Sequence, residues 1–202
     1  MASTTAGTAH DAELVRRTLD GDRRAFGELV RRHQDAVFGL VSRLVGARSD
    51  VEDIAQDAFL RAYRALPTFR GDAQFGTWLY RIAWNTCLDR REQQAHRQEH
   101  EVSLGPEDDE DDPHEPADPD APLPDEVLEA DDVRERLAHH LGQLPDHYRA
   151  VLTLYYYGQQ SYDEIARVLD IPMNTVKVHI HRAKAQLRKA LVAERAVEGW
   201  TS

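Results

Sequence analysis

The sequence contains one cysteine, Cys87. This excludes an intramolecular disulfide and a cysteine-rich zinc site, and it fits a protein of the reducing cytoplasm. No run of 18 apolar residues occurs, which argues against a membrane-spanning helix and against membrane insertion. The first twenty residues lack the apolar core and small-residue ending of a secretory signal. Phosphate-binding glycine loops, dinucleotide-binding glycines and a nucleophile elbow are all missing, so nothing supports an enzyme, a catalytic residue or a bound cofactor. No stretch alternates convincingly as a strand. An excess of basic charge is also missing, because 25 Lys and Arg face 36 Asp and Glu for a net charge of −11.

That acidity is local. Residues 107–126 hold eleven Asp or Glu and no Lys or Arg, so the other 182 residues carry 25 charges of each sign. The global charge therefore says nothing against a nucleic-acid partner; its distribution decides. Six of the nine prolines (Pro106, Pro113, Pro116, Pro119, Pro122 and Pro124) fall in or beside the same run. Such a composition does not build a packed core. The reading is an all-α protein of two small helical domains, 11–94 and 127–195, joined by a flexible acidic Pro-rich linker over 95–126. Residues 1–10 are expected to be disordered and 196–202 to form a tail.

The most informative stretch is Ser161 to Leu191. Ser161 and Glu164 form a capping box, followed by apolar Ile165, Ala166, Val168 and Leu169 at helical spacing. Asp170, Ile171 and Pro172 break that helix, and Pro172 suits the first turn of the next. In the second helix Val176, Ile180, Ala183, Leu187 and Leu191 make an apolar stripe beside a basic one of Lys177, His181, Lys184 and Arg188. A capped helix, a tight turn and a basic second helix make a helix-turn-helix, whose second helix can enter the major groove. Upstream, helices are expected from Val127 to Leu141 and from Asp146 to Tyr157, closed by Gly158.

The first domain reads as helices over Asp11–Leu19, Asp22–Val45 and Ser49–Leu66, with Ser49 or Asp50 as the third cap. Asp53 and Asp57 lie one turn apart away from the apolar stripe, as a solvated face or an acidic docking surface. A loop from Pro67 to Ala73 leads into a helix running from Gln74 to the Arg90 region. Phe69, Phe75, Trp78, Tyr80 and Trp84 are interleaved there with Arg70 and Arg81. Aromatic faces with guanidinium groups form a platform for unpaired bases, although Phe75 and Trp78 suit a core. Cys87 reads as a small buried residue. His96, Glu99 and His100 spell a zinc-protease pattern, but without an apolar face to bury a metal, and no metal site is assigned.

The blocks DVEDIAQDAFLRAYRAL and FRGDAQFGTWLYRIAWNTCLDRRE, then LPDHYRAVLTLYYYGQQSYDEIA and a basic helix, resemble the extracytoplasmic-function (ECF, group IV) subfamily of the sigma-70 family. The resemblance covers about residues 11–94 and 127–193. It implies that 11–94 is sigma region 2 and 127–195 is sigma region 4. Such a protein binds core RNA polymerase and directs initiation at particular promoters. Asp53, Gln56 and Asp57 would dock on the β′ coiled coil, and Leu144 to Tyr157 would pack near the β flap.

The resemblance further implies that Phe69, Arg70, Gly71, Asp72, Ala73 and Gln74, with Asn85, capture a flipped base of the minus-ten element, while Tyr80, Arg81 and Trp84 line the melted strand. Lys177, Val178, His181 and Arg182 would meet base edges of the minus-thirty-five element, and Thr175, His179 and Lys184 its phosphates. An anti-sigma partner is also implied. The sequence departs from the family around Asn174, Val178 and His179, which bears on promoter choice rather than on fold. The runner-up is a stand-alone helix-turn-helix regulator, which leaves the aromatic helix and the acidic face without a task. A regulatory adaptor that binds polymerase or another sigma factor without DNA leaves the basic helix without one.

Overall fold

A computed structural model describes residues 2–45, 50–101 and 130–198, with side chains over 9–45, 50–96 and 136–194. Its helices are α1 (Ala2–Leu19), α2 (Arg23–Val45), α3 (Val51–Ala65), α4 (Phe75–Glu101), α5 (Ala130–Gln143), α6 (Asp146–Leu152), α7 (Tyr162–Leu169) and α8 (Met173–Glu198). A 3-10 turn, Leu66–Thr68, follows α3, and a π-helical turn, Thr153–Tyr157, continues α6. No strand occurs among the described residues, in keeping with the all-α reading.

α2, α3 and α4 form the body of the first domain, and α1 lies along α2. The spacing of apolar residues sets these contacts. Leu29, Val37, Leu40, Val41 and Leu44 of α2 meet Ile54, Ala58 and Ala62 of α3 and Phe75, Leu79 and Ala83 of α4 in one buried cluster. Asp11 fastens α1 to α2: its buried carboxylate pairs with Arg32 Nε at 3.0 Å and with His33 Nε2 at 2.8 Å.

The structure corrects two boundaries. α1 begins at Ala2 where a helix from Asp11 was expected; Ala2, Ala6 and Ala9 are strong helix formers. α4 continues to Glu101, through seven residues assigned to the linker. The stretch 90–101 has no glycine or proline and is rich in Arg, Glu and Gln, so nothing stops the helix before the acidic run. Asp50 holds the cap position of α3 without a capping hydrogen bond; its carboxylate instead accepts from Gln94 Nε2 at 2.7 Å, tying α3 to α4. Ser49, residues 102–129 and the tail from 199 lie outside the described residues, as do the side chains of Glu99 and His100.

In the second domain the expected helix to Tyr157 is α6 plus its π-helical turn. The capping box of α7 is formed: Ser161 Oγ accepts from the Glu164 N–H at 3.4 Å, and Glu164 Oε2 accepts from the Ser161 N–H at 2.8 Å. Asp170 ends α7 with φ 56°, a left-handed conformation that Asp tolerates better than most residues. Pro172 precedes α8 and accepts the Val176 N–H at 3.1 Å. Ile165 and Val168 of α7 then pack on Val176, Ile180 and Ala183 of α8, all buried. Burying an aliphatic side chain of this size stabilises by about 1.5–3 kcal/mol, so these contacts fix the angle of the two helices. Lower on α8, Glu194 pairs with Arg136 at 3.3 Å and His140 at 2.8 Å, anchoring α5.

The two domains share one apolar core. α7 packs on α4, and α6 with its π-helical turn packs on α2.

Candidate nucleic-acid interface

The loop between α3 and α4 stands on an aromatic pedestal. Phe69 lies 5.9 Å from Phe75 and 5.1 Å from Trp78 between ring centroids, and Phe75 lies 5.7 Å from Trp78. Phe75 is buried and Phe69 and Trp78 are half-buried, so these rings hold the loop more than they offer faces to a base. The pedestal lifts Arg70, Gly71, Asp72 and Gln74 into solvent, with Ala73 half-buried. Gly71 turns the chain at φ +78°, open to glycine at little cost. Gln74 immediately precedes α4, its carbonyl accepting the Trp78 N–H at 3.1 Å. A protruding polar loop on a rigid base is a shape that can enclose one extruded base.

Along α4, Arg81 and Asn85 are exposed one turn apart and Trp84 is half-buried. Tyr80 departs from expectation. It is buried at 8% exposure, and desolvation with the neighbouring Tyr157 raises its pKa. The covering group is the backbone of Gly158: a Cβ built there would come 3.3 Å from Tyr80 Cε2. Arg81 lies 3.8 Å from Asp170 of the second domain. Next to them, Trp84, Cys87, Arg90 and Arg91 face Gly142, Asp146 and Arg149 across a cleft of about 240 Å³. Cys87 is buried there, its thiol pushed up to about 12 by burial, which makes it inert.

On α8 the buried stripe turns Lys177, Val178 and Arg182 outward, with Thr175 and His181 half-buried. Two expected phosphate contacts are drawn inward instead. The His179 ring packs against His147 at 4.9 Å and Tyr148 at 5.5 Å. Burial, then His147 and Arg182, lower its pKa, so it is neutral at pH 7. Lys184 Nζ lies over the rings of Tyr155 and Tyr156, at 5.8 and 5.5 Å, and its hydrogen bond to Tyr156 raises its pKa. Of the cations expected to meet this DNA element, Lys177 and Arg182 face fully outward.

A second surface lies on α2 and α3. Asp53 and Gln56 are exposed. Asp57 is paired with Arg61 at 3.0 Å, and Arg61 also bonds Asp89, which with Asp57 raises its pKa. The surface is not only acidic. Beside Gln56, a groove of about 580 Å³ is lined by Phe26, Val30, Phe59, Leu60 and Tyr63. Leu60 and Tyr63 are 55% and 40% exposed, and Tyr63 meets Phe26 edge-on at 4.9 Å. Exposed apolar side chains gathered at a groove mark a protein-docking site better than carboxylates do.

Comparison with known proteins follows the same division. Residues 29–97 match Sigma-70 region 2, and residues 134–187 match Sigma-70, region 4. The chain is 38% identical over 181 residues to the RNA polymerase sigma-H factor of Pseudomonas aeruginosa, covering 90% of this chain and 93% of that one. It belongs to the sigma-70 family. It is also 38% identical over 184 residues to the ECF RNA polymerase sigma-E factor of Escherichia coli, covering 86% and 90% of the two chains. Among solved structures it is similar to CnrH in complex with the cytosolic domain of CnrY, with TM-score 0.64, 30% identity, and 91% and 98% of the chains covered. It is thus a sigma factor of the ECF type, a factor for promoter-specific initiation by RNA polymerase, and the stand-alone regulator is not favoured. No helix among the described residues is long and apolar enough to cross a membrane.

Sequence reasoning about this sigma factor missed Phe26, Leu60 and Tyr63. The available signal was that Leu60 and Tyr63 fall off the apolar stripe of α3. It also missed Gly39, Thr77 and Tyr157, which join residues far apart in the chain and carry no local signal.

Proposed function

We propose that this sigma factor divides its work among three surfaces. The α2–α3 groove, with Gln56 in its wall and Asp53 and Asp57 next to it on α3, docks on the β′ coiled coil of core RNA polymerase. The Phe69–Gln74 loop and Asn85 take a flipped minus-ten base, with Tyr80, Arg81 and Trp84 along the opened strand. α8 enters the minus-thirty-five groove with Lys177, Val178, His181 and Arg182 toward bases and Thr175 toward the backbone, while His179 and Lys184 brace the helix on α6 and the π-helical turn. Leu144 to Tyr157 lies near the β flap. The domain limits follow the same division: region 2 over 11–94, region 4 over 127–195, with the acidic linker between. The protein works in the cytoplasm, has no catalytic residues and is held by an anti-sigma factor; the similar CnrH is found in complex with the cytosolic domain of CnrY.

The observation that carries the docking assignment is the groove itself: exposed Leu60 and Tyr63 beside exposed Gln56, with exposed Asp53 one turn earlier on α3. Leu60→Asp removes apolar contact and adds charge without entering the core, because Leu60 is 55% exposed. The variant should fold normally and lose co-purification with core polymerase. Retention equal to the unaltered chain would rule the groove out as the docking site.

A further inference from the structure

The loop assigned above to base capture is tied by backbone hydrogen bonds at its two ends. The Phe69 N–H donates to the Leu66 carbonyl at 3.0 Å, and the Trp78 N–H to the Gln74 carbonyl at 3.1 Å. Between these ties Arg70, Gly71, Asp72 and Gln74 are exposed, so their place is set by the stems on either side. α1 touches both stems, packing on the 3-10 turn Leu66–Thr68 and on α4. One side chain of α2 stands between α1 and the loop. The His33 ring lies 5.2 Å from the Phe75 ring between centroids. Its Cε1 would stand 3.5 Å from a Cβ built on Gly76. Phe75 and Gly76 are the first two residues of α4, so the imidazole is seated behind the point where the loop ends. On its other edge, His33 Nε2 lies 2.8 Å from Asp11 Oδ2 of α1. An ionised carboxylate only accepts, so the imidazole donates. The pair is enclosed, with side chains 10% exposed for Asp11 and 19% for His33. Phe75 passes the constraint to the first residue of the loop through its edge-on contact with Phe69 at 5.9 Å.

We infer that His33 is a positioning residue for the base-capturing loop: Asp11 holds its imidazole against Phe75 and Gly76, so that α1 sets where the Phe69–Gln74 loop stands. Both residues act through Phe75, and neither lies among those assigned to DNA. The inference rests on the loop assignment proposed above. A recognition site works when its supporting side chains hold it to within about 0.5 Å. A ring bonded at one edge and packed on one face cannot turn away from Phe75; without the bond it can, and the base of the loop loosens. A misplacement of about 1 Å can cost roughly a hundredfold in what fitted geometry supplies.

His33→Phe and Asp11→Ala in the full chain test this, each breaking the same hydrogen bond from a different side. His33→Phe keeps a ring beside Phe75. Asp11→Asn is the conservative rescue, because its amide oxygen still accepts from Nε2. Each chain is assembled with core polymerase and run on a template pool randomised over the minus-ten and minus-thirty-five elements. Helical content by circular dichroism should be unchanged. His33→Phe and Asp11→Ala should lose preference at the captured minus-ten base roughly tenfold, while Asp11→Asn keeps it. Preference over the minus-thirty-five element should be unchanged in all three. Equal losses at both elements, or a loss in Asp11→Asn as deep as in Asp11→Ala, would make the pair an ordinary structural contact and overturn the inference. The double variant Asp72→Ala/Gln74→Ala, in the loop itself, separates this from the loop assignment. If it loses the minus-ten preference while His33→Phe and Asp11→Ala keep it, the positioning role is wrong and the loop assignment stands. If all of them keep it, the loop assignment fails and the positioning role with it.

Discussion

Replacing Arg182 with alanine tests the minus-thirty-five assignment at one side chain. Arg182 is exposed on α8, while its neighbours Ile180 and Ala183 are buried. Truncation there leaves no cavity, and surface changes of this kind alter stability by only about 0.5 kcal/mol. If the guanidinium forks onto a base, its loss costs about 1–3 kcal/mol of discrimination. With about 1.4 kcal/mol per factor of ten, that is roughly 5- to 150-fold in promoter use. The assay is run-off transcription with core polymerase on templates randomised over the minus-thirty-five region. The variant should lose output by that factor and become indifferent to base identity at one position. A uniform loss on all templates, with the salt slope reduced by about one, would identify a phosphate contact instead. Full activity with undiminished preference at every position would refute the placement of α8 in the groove.

Two further outcomes follow from the second domain. Ser161→Ala removes one half of the capping box on an eight-residue helix, and should lower unfolding stability by about 1 kcal/mol, read from the urea midpoint. An unchanged midpoint would mean that α7 is held by packing alone. The His147–His179 pair makes the domain acid-sensitive. Burial lowers both pKa values from 6.5, so above 6.5 both rings are neutral folded or unfolded and contribute nothing. As pH falls below 6.5 the unfolded chain takes up protons first, and stability is lost until the folded rings titrate too. Thermal melts from pH 7.5 to 5 should show this loss, reduced in the His147→Asn/His179→Asn double variant; an equal loss in that variant would place the acid-sensitive groups elsewhere.

Local signals were readable wherever one helix decided the matter. Ser161 with Glu164 announced a cap that is formed, and the four-three-four spacing from Val176 separated the buried face of α8 from Lys177. α2 and α3 were equally clear, because their apolar stripes need only a neighbour. The end of α4 was misplaced because composition shifts at residue 95 while helix propensity does not fail there. Tyr80 was misjudged for a different reason: its burial depends on Gly158, 78 positions away, and no pattern within α4 encodes that. His179 and Lys184 were expected at phosphates yet lean on rings contributed by α6 and the π-helical turn. Side-chain direction within one helix was legible; which surfaces a second body covers was not.

The central claim is that this chain directs RNA polymerase to its start points. Mapping of transcript 5′ ends, made by purified core polymerase with and without the full chain on a genomic or randomised template pool, tests it most directly. The account predicts a discrete set of start points that appears only with the chain and collapses when Lys177→Ala and Arg182→Ala are combined. Identical 5′ ends in the presence and absence of the chain would contradict it.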